Sequence, residues 1–282
     1  LALACLAEPG RRWLLPDPGY PCNRHFVRAF EGQPVSVPVA AETNFQPTPD
    51  LLAAHWGDAT DGLIVASPAN PTGTMLNASE LQSLHDFVVA RQGHFIVDEI
   101  YHGLTYDGDA PSALATGDDT WVVQSFSKYF QMTGWRLGWL VVPEAYLRDI
   151  EKLAQNLFIS PPTPAQQAAL AAFTPETIAI LESRRAEFKN RRDFLAPALA
   201  SLGLRVTAEP QGAFYLYCES SALAPDSFSL ARRMLEEAGV AATPGLDFGS
   251  HRPQDHMRFA YTNDIGRLHE AVERLRRFFG KP

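Results

Sequence analysis

Trp121-Val122-Val123-Gln124 is an apolar run that leads into Ser125-Phe126-Ser127-Lys128, and eight residues after that lysine Arg136 stands inside Gly134-Trp135-Arg136-Leu137-Gly138. The run predicts a strand, and Lys128 just past it stands at the carboxyl edge, where open α/β sheets bind ligands. Two further segments repeat the pattern. Gly62-Leu63-Ile64-Val65-Ala66 predicts a buried strand that feeds Ser67-Pro68-Ala69-Asn70-Pro71-Thr72-Gly73, a rigid loop with an amide at its centre. His94-Phe95-Ile96-Val97 predicts another, which delivers Asp98, with Tyr101 three residues on. Up to about Val142 such strands alternate with helical stretches such as 78–91. That alternation is the signature of a mostly parallel sheet with crossover helices.

The residues at these strand ends suggest a ligand. Ser125, Ser127 and Arg136 can surround a phosphate, since hydroxyls donate to it and a guanidinium forks onto two of its oxygens. An amine beside a phosphate cradle is what pyridoxal phosphate (PLP) needs, because a lysine must hold its aldehyde as a Schiff base. For Lys128 and Arg136 alone, a surface lysine near a solvent-facing arginine reads equally well. Asp98, ending an apolar strand, needs a cationic partner if it is buried, and a protonated pyridine nitrogen would serve. Singly, Asn70 could be a turn former, Asp98 a helix cap and Tyr101 the edge of a core. Three strand ends carrying matched chemistry argue against coincidence.

On Asn70-Pro71-Thr72-Gly73, Asp98-Glu99-Ile100-Tyr101, Ser125-Phe126-Ser127-Lys128, Gly134-Trp135-Arg136-Leu137-Gly138 and Arg258-Phe259-Ala260, the chain resembles the class I/II aminotransferases, PLP enzymes of fold type I. The motifs stand in the family's order, and the resemblance covers essentially the whole chain. It implies an α/β fold with a mostly parallel large-domain sheet, helices on both faces, and a smaller C-terminal α+β domain. It also implies that Lys128 holds the cofactor aldehyde, Asp98 pairs with the pyridine nitrogen, and Asn70 and Tyr101 bond the ring's phenolic oxygen. Ser125, Ser127 and Arg136 would bind the phosphate. Tyr20, in Asp17-Pro18-Gly19-Tyr20-Pro21, would stack on the ring, and Arg258, with Asn70 beside it, would receive the substrate's α-carboxylate.

By the same resemblance the activity is amino-group exchange between an L-amino acid and a 2-oxo acid by a ping-pong route, in a homodimer with its sites near the interface. A C–S lyase, an acyl-condensing synthase, or the non-enzymatic effector domain of a regulator are the alternatives on one scaffold. The complete set of Lys128, Asp98, Tyr101 and Arg258 favours the transaminase.

In His256-Met257-Arg258-Phe259-Ala260-Tyr261 the apolar residues alternate, so Arg258 points away from the buried face of a strand. A planar fork on a rigid strand suits bidentate carboxylate recognition. Arg252, beside a proline, reads as solvated. After Pro143 the pattern changes to helices at 144–155 and 164–173, and then to a long charged segment over 175–202. Arg184, Arg185, Glu187, Lys189, Arg191 and Arg192 of that segment read as a solvated face. Strands near 204–206, 212–218, 240–243 and 257–261, with helices at 226–238 and 265–279, complete a compact α+β unit. The expected division is a large PLP-binding domain over 1–174, then an interdomain helix and small domain over 175–282.

With 46% hydrophobic residues in 282, the chain can bury a large core. No apolar run approaches the roughly 20 residues of a membrane span. A net charge of −8 without a basic block points to neither nucleic acid nor an anionic membrane. Cys5, Cys22 and Cys218 are few, odd in number and far apart, which argues against a disulfide framework or zinc site and for a cytoplasmic protein with reduced thiols. No metal is expected; His85, His94 and His102 read as structural or surface residues. Leu1-Ala2-Leu3-Ala4-Cys5-Leu6-Ala7 reads as the tail of an amphipathic helix without a start signal. That suggests a chain beginning inside its large domain, with the N-terminal arm and a phosphate-binding turn lying upstream.

Overall fold

The computed structural model describes residues 1–108 and 110–280. The helices of its first half are α1 (Ala2–Leu6), α2 (Pro21–Ala29), α3 (Pro49–Ala53) and α4 (Ala78–Val89). The apolar runs become strands β1 (Arg12–Asp17), β2 (Gln33–Pro38), β3 (Thr60–Ala66), β4 (His94–Asp98), β5 (Trp121–Ser125) and β6 (Gly138–Val141). They form one sheet in the order β2-β1-β3-β4-β5-β6, parallel throughout except for β6. β6 returns antiparallel beside β5, where a Cβ on Gly138 would lie 2.6 Å from the Gln124 carbonyl oxygen. Only glycine lets the two backbones approach so closely.

Because side chains alternate along a strand, the continuous apolar runs serve two cores at once. Leu63, Val65, Phe95 and Val97 pack on Leu81, Leu84 and Val88 of α4. Ile64, Ile96 and Trp121 face the other way, onto Leu3, Leu6, Val27 and Ile150. The start of α4 is set by a capping box, in which Asn77 Oδ1 accepts from the Glu80 amide and Glu80 accepts from that of Asn77.

Three helices follow β6: α5 (Leu147–Leu157), α6 (Thr163–Ala171) and the 27-residue α7 (Pro175–Ser201). A second, antiparallel sheet has the order β7-β8-β10-β9, from β7 (Arg205–Val206), β8 (Tyr215–Glu219), β9 (Thr243–Pro244) and β10 (His256–Ala260). Helices α8 (Ser227–Ala238) and α9 (Ile265–Phe278) cover it together with Leu195 and Leu199 of α7. Met257, Phe259 and Tyr261 are buried, as their alternation requires.

At about 40 Å, α7 is long enough to touch both sheets' surroundings. Near its start Glu182 accepts from the Tyr129 hydroxyl and Arg184 donates to Gln131. The expectation of a wholly solvated charged face fails at Arg192. That residue is buried, its guanidinium donating to both carboxylate oxygens of Asp107, to Asp193 and to the Pro210 carbonyl, against the ring of Tyr106. Arg185 likewise donates to the Thr105 carbonyl at 2.9 Å. Charge spacing along a helix does not reveal which turn meets a loop 85 residues away, and that contact decides which cation is buried and paired.

Candidate active site

Parallel register brings the predicted strand ends level. Ala66 pairs with Asp98 and Asp98 with Val123, so the Asn70 loop, the Asp98 carboxylate and the 125–128 turn leave the sheet on one edge. Asp98 accepts from the Ile100 amide at 3.1 Å. It keeps some surface, yet protein surrounds it closely enough that burial pushes its pKa up to about 6, against the opposing pull of that amide and of the Lys128 charge. The amine of Lys128 lies 5.3 Å from the centre of the Tyr101 ring and 5.7 Å from that of Phe214. Burial lowers its pKa below the ordinary lysine value; Asp98 opposes the shift, while the positive charges of Arg258 and Arg136 reinforce it. A larger share of free amine is what a nucleophilic lysine requires.

Tyr101 is buried, with its hydroxyl 3.0 Å from that of Tyr215. Desolvation and the neighbouring phenol hold its pKa well above the ordinary range, so it stays a protonated donor. On the facing sheet, Arg258 Nη1 donates to Asn70 Oδ1 at 2.8 Å and Nη2 to Thr243 Oγ1 at 3.3 Å. Its guanidinium rests against the rings of Tyr215 and Phe248, 4.3 and 4.8 Å from their centres. Arg258 Nε is buried with no partner among the described residues, so the fork retains unused donor capacity. Tyr20, the residue before α2, is partly exposed; a hydrogen bond with Cys22, then burial, raises its phenol to about 12, with the Asp98 charge adding to the shift.

Ser125 Oγ accepts from the Ser127 amide at 3.0 Å, and the Ser127 carbonyl accepts from Thr133 Oγ1 at 2.6 Å. Arg136 is exposed, has φ +54°, and donates to the Thr133 carbonyl at 2.9 Å. The structure therefore gathers Asn70, Asp98, Tyr101, Lys128 and Arg258 around one cleft, with Tyr20 at its rim. Ser125 at the end of β5 and Ser127 and Arg136 in the β5–β6 connection lie beside it, but Arg136 makes no hydrogen bond to either serine.

Sequence reasoning missed Tyr215, Thr243, Phe214 and Phe248. The strand register could have found Thr243, which pairs directly with Arg258. Tyr215 begins β8 and is opposite Ala260, two residues along β10 from Arg258. Phe248 sits in an irregular loop that carries no periodic signal.

The chemistry gathered here suits pyridoxal phosphate: an amine of lowered basicity for an aldehyde, a largely enclosed carboxylate for a ring nitrogen, and two hydroxyls with a guanidinium for a phosphate. The orphaned Arg258 Nε has the corresponding fit to a carboxylate.

A mostly parallel sheet whose carboxyl edge carries such a lysine–aspartate pair, faced by an arginine on a second sheet, defines a class of enzyme. The chain belongs to the aminotransferase class I and II family, whose model matches residues 1–275. It is accordingly a transaminase, of a family that uses pyridoxal phosphate. Over 275 residues it is 39% identical to a valine–pyruvate aminotransferase of Mycobacterium tuberculosis, covering 97% of this chain and 70% of that one. It is 34% identical to an aspartate/prephenate aminotransferase of Thermus thermophilus, covering 98% and 71% of the two chains. The crystal structure of an aminotransferase from Mycobacterium tuberculosis superposes with a TM-score of 0.94 at 38% identity, covering 99% of this chain and 72% of that chain.

Proposed function

We propose that the protein exchanges an amino group between L-amino acids and 2-oxo acids, with Lys128 as its covalent and proton-transferring residue. The carrying observation is the placement of the Lys128 amine and the Asp98 carboxylate at adjacent strand ends, opposite an arginine held by Asn70. Pyridoxal phosphate, when bound, supplies an aldehyde that exchanges amines and a ring that takes up the electrons left at the α-carbon. Asp98 would hold a proton on the ring nitrogen, and Tyr101 and Asn70 would donate to the phenolic oxygen. Ser125, Ser127 and Arg136 would receive the phosphate, and Tyr20 would cover the ring. Arg258 would orient the α-carboxylate, which points the α-hydrogen towards Lys128; its amine, freed on substrate entry, then moves that proton.

With an amino donor and no acceptor, the protein is expected to release about one equivalent of 2-oxo acid per site and then stop, resuming when a second 2-oxo acid is added. Sustained release of pyruvate with ammonia would instead identify a lyase. Arg258→Lys keeps the charge and loses the planar fork. Its kcat/KM should fall at least about tenfold, about 1.4 kcal/mol, for every α-amino acid and less for amines without an α-carboxylate. Equal losses for both donor classes would reduce Arg258 to a structural role.

The same reading includes a division near residue 174, where Thr174 caps α7, and a cytoplasmic location, supported by three cysteines that form no disulfide. It also includes a homodimer, supported by large apolar side chains exposed on β6, α6 and the segments around them: Trp135, Trp139, Phe158, Ile159, Leu170 and Phe173. Light scattering should give twice the chain mass, and a fully active monomer would refute the dimer. No helix of the described residues is long and apolar enough to cross a membrane.

A further inference from the structure

Asp17 ends β1 at the same carboxyl edge as Asp98, and it is one of the few buried carboxylates among the described residues, with 3% of its surface exposed. Among the described residues it has no cationic side chain within ion-pairing distance. All the hydrogen bonds its carboxylate accepts come from one place, more than 230 residues away in sequence. The Ser250 amide reaches Oδ1 and Oδ2 at 3.1 and 2.9 Å, the Ser250 hydroxyl reaches Oδ2 at 2.9 Å, and the His251 amide reaches Oδ1 at 3.2 Å. A buried charge is tolerated only when its lone pairs are so satisfied, and bonds to an ionised acceptor are the stronger kind.

Two neighbouring contacts run the same way. The Gly19 amide donates to the Phe248 carbonyl at 2.9 Å, and Arg24 donates to the Asp247 carbonyl at 3.0 Å. The loop 247–251 is thus fastened to the segment 17–24, from the end of β1 through the first turn of α2, joining the two sheets at the mouth of the cleft. Gly249 is required there, because a Cβ on it would fall 1.7 Å from Asp17 Oδ1. The fastened loop carries Phe248, whose ring packs on the Arg258 guanidinium, and the fastening segment carries Tyr20.

We propose that Asp17 is a positioning residue for substrate recognition: its carboxylate clamps the 247–251 loop so that Phe248 stays packed on Arg258 and holds the guanidinium plane towards the substrate's α-carboxylate. This rests on the reading of Arg258 given above. Asp17 reaches no substrate atom itself; it acts through backbone amides, Phe248 and Arg258. Asp17→Asn removes the charge and part of the acceptor capacity, whereas Gly249→Ala leaves Asp17 intact and forces the two loops apart.

Both variants, tested as holoenzyme, should raise KM for α-amino acids by about tenfold or more while changing kcat less than about threefold, since the loss is in carboxylate binding shared by ground and transition states. KM for amine donors without an α-carboxylate should stay within about twofold. Hydrogen exchange at the Ser250 and His251 amides should quicken at least about tenfold in Asp17→Asn, with β3 and β4 amides unchanged. Unchanged protection at Ser250 and His251 in Asp17→Asn, or equal KM increases for both donor classes in Gly249→Ala, would overturn the clamp. Failure of the Arg258 reading is separately visible. Arg258→Lys would then lose its discrimination between donor classes, while Asp17→Asn would still expose the two amides.

Discussion

Lys128→Ala is expected to lower the rate of transamination about 10⁴-fold and to abolish borohydride-dependent attachment of the cofactor to the chain. The magnitude combines loss of a positioned proton carrier with loss of the covalent link. The chain has four lysines, Lys128, Lys152, Lys189 and Lys281. Lys152 is ion-paired with Asp149 on α5, and Lys189 with Asp193 on α7, both at the surface. Lys281 lies outside the described residues. Among the others, only Lys128 combines the sheet edge with a depressed basicity. Peptide mapping after reduction should therefore place the label on Lys128, and label on any other lysine would sink the assignment.

Asp98→Asn should separate stability from function in opposite directions. The folded protein binds the Asp98 proton more tightly than the unfolded chain does, since burial raises the pKa to about 6 from the ordinary aspartate value of 3.8. Stability from this group is thus fully present below about pH 4 and is lost as pH rises through about 6. Asparagine suffers no such loss. In protein freed of cofactor, Asp98→Asn should be more stable than the parent at pH 8, by at most about 3 kcal/mol because the carboxylate keeps some surface, and equal to it near pH 4. With the cofactor bound, a ring cation would compensate the carboxylate, so the parent should gain more stability from the cofactor than the variant and should keep far higher activity. Denaturant titrations at the two pH values, with and without cofactor, measure both arms. A destabilised variant at pH 8 without cofactor would show that Asp98 is already compensated within the chain.

Both predictions concern groups whose state in the folded chain is unfavourable on its own: a lysine with lowered basicity and a carboxylate short of partners. Functional sites concentrate such groups, because a charge already matched within the protein has little left to offer a ligand. Arg192 shows the contrast. It is more buried than Lys128, Asp98 or Arg258, but Asp107, Asp193 and a carbonyl take up its donors, and it serves to tie α7 to Asp107 and to the loop before Pro210.

What the sequence by itself determined was local: which runs become strands, and which residues stand at their carboxyl ends. Gly62 to Ala66, Phe95 to Val97 and Trp121 to Val123 are apolar without interruption, β-branched or aromatic in large part and short, the pattern of strands in a sheet buried on both faces. Asn70, Asp98 and Lys128 could therefore be placed on a common edge before any coordinates, and Arg258 could be set on the polar side of its strand. Tertiary structure decided everything that depends on distant pairing. The Arg258–Asn70 bond spans 188 residues, the Tyr101–Tyr215 contact 114, and the bonds from Asp17 to Ser250 span 233. Periodicity and composition describe one segment at a time, whereas these contacts follow from how two sheets meet. For the same reason the charged face of α7 could not reveal a buried Arg192, nor an ordinary Asp-Pro turn a carboxylate closed over by the other end of the chain.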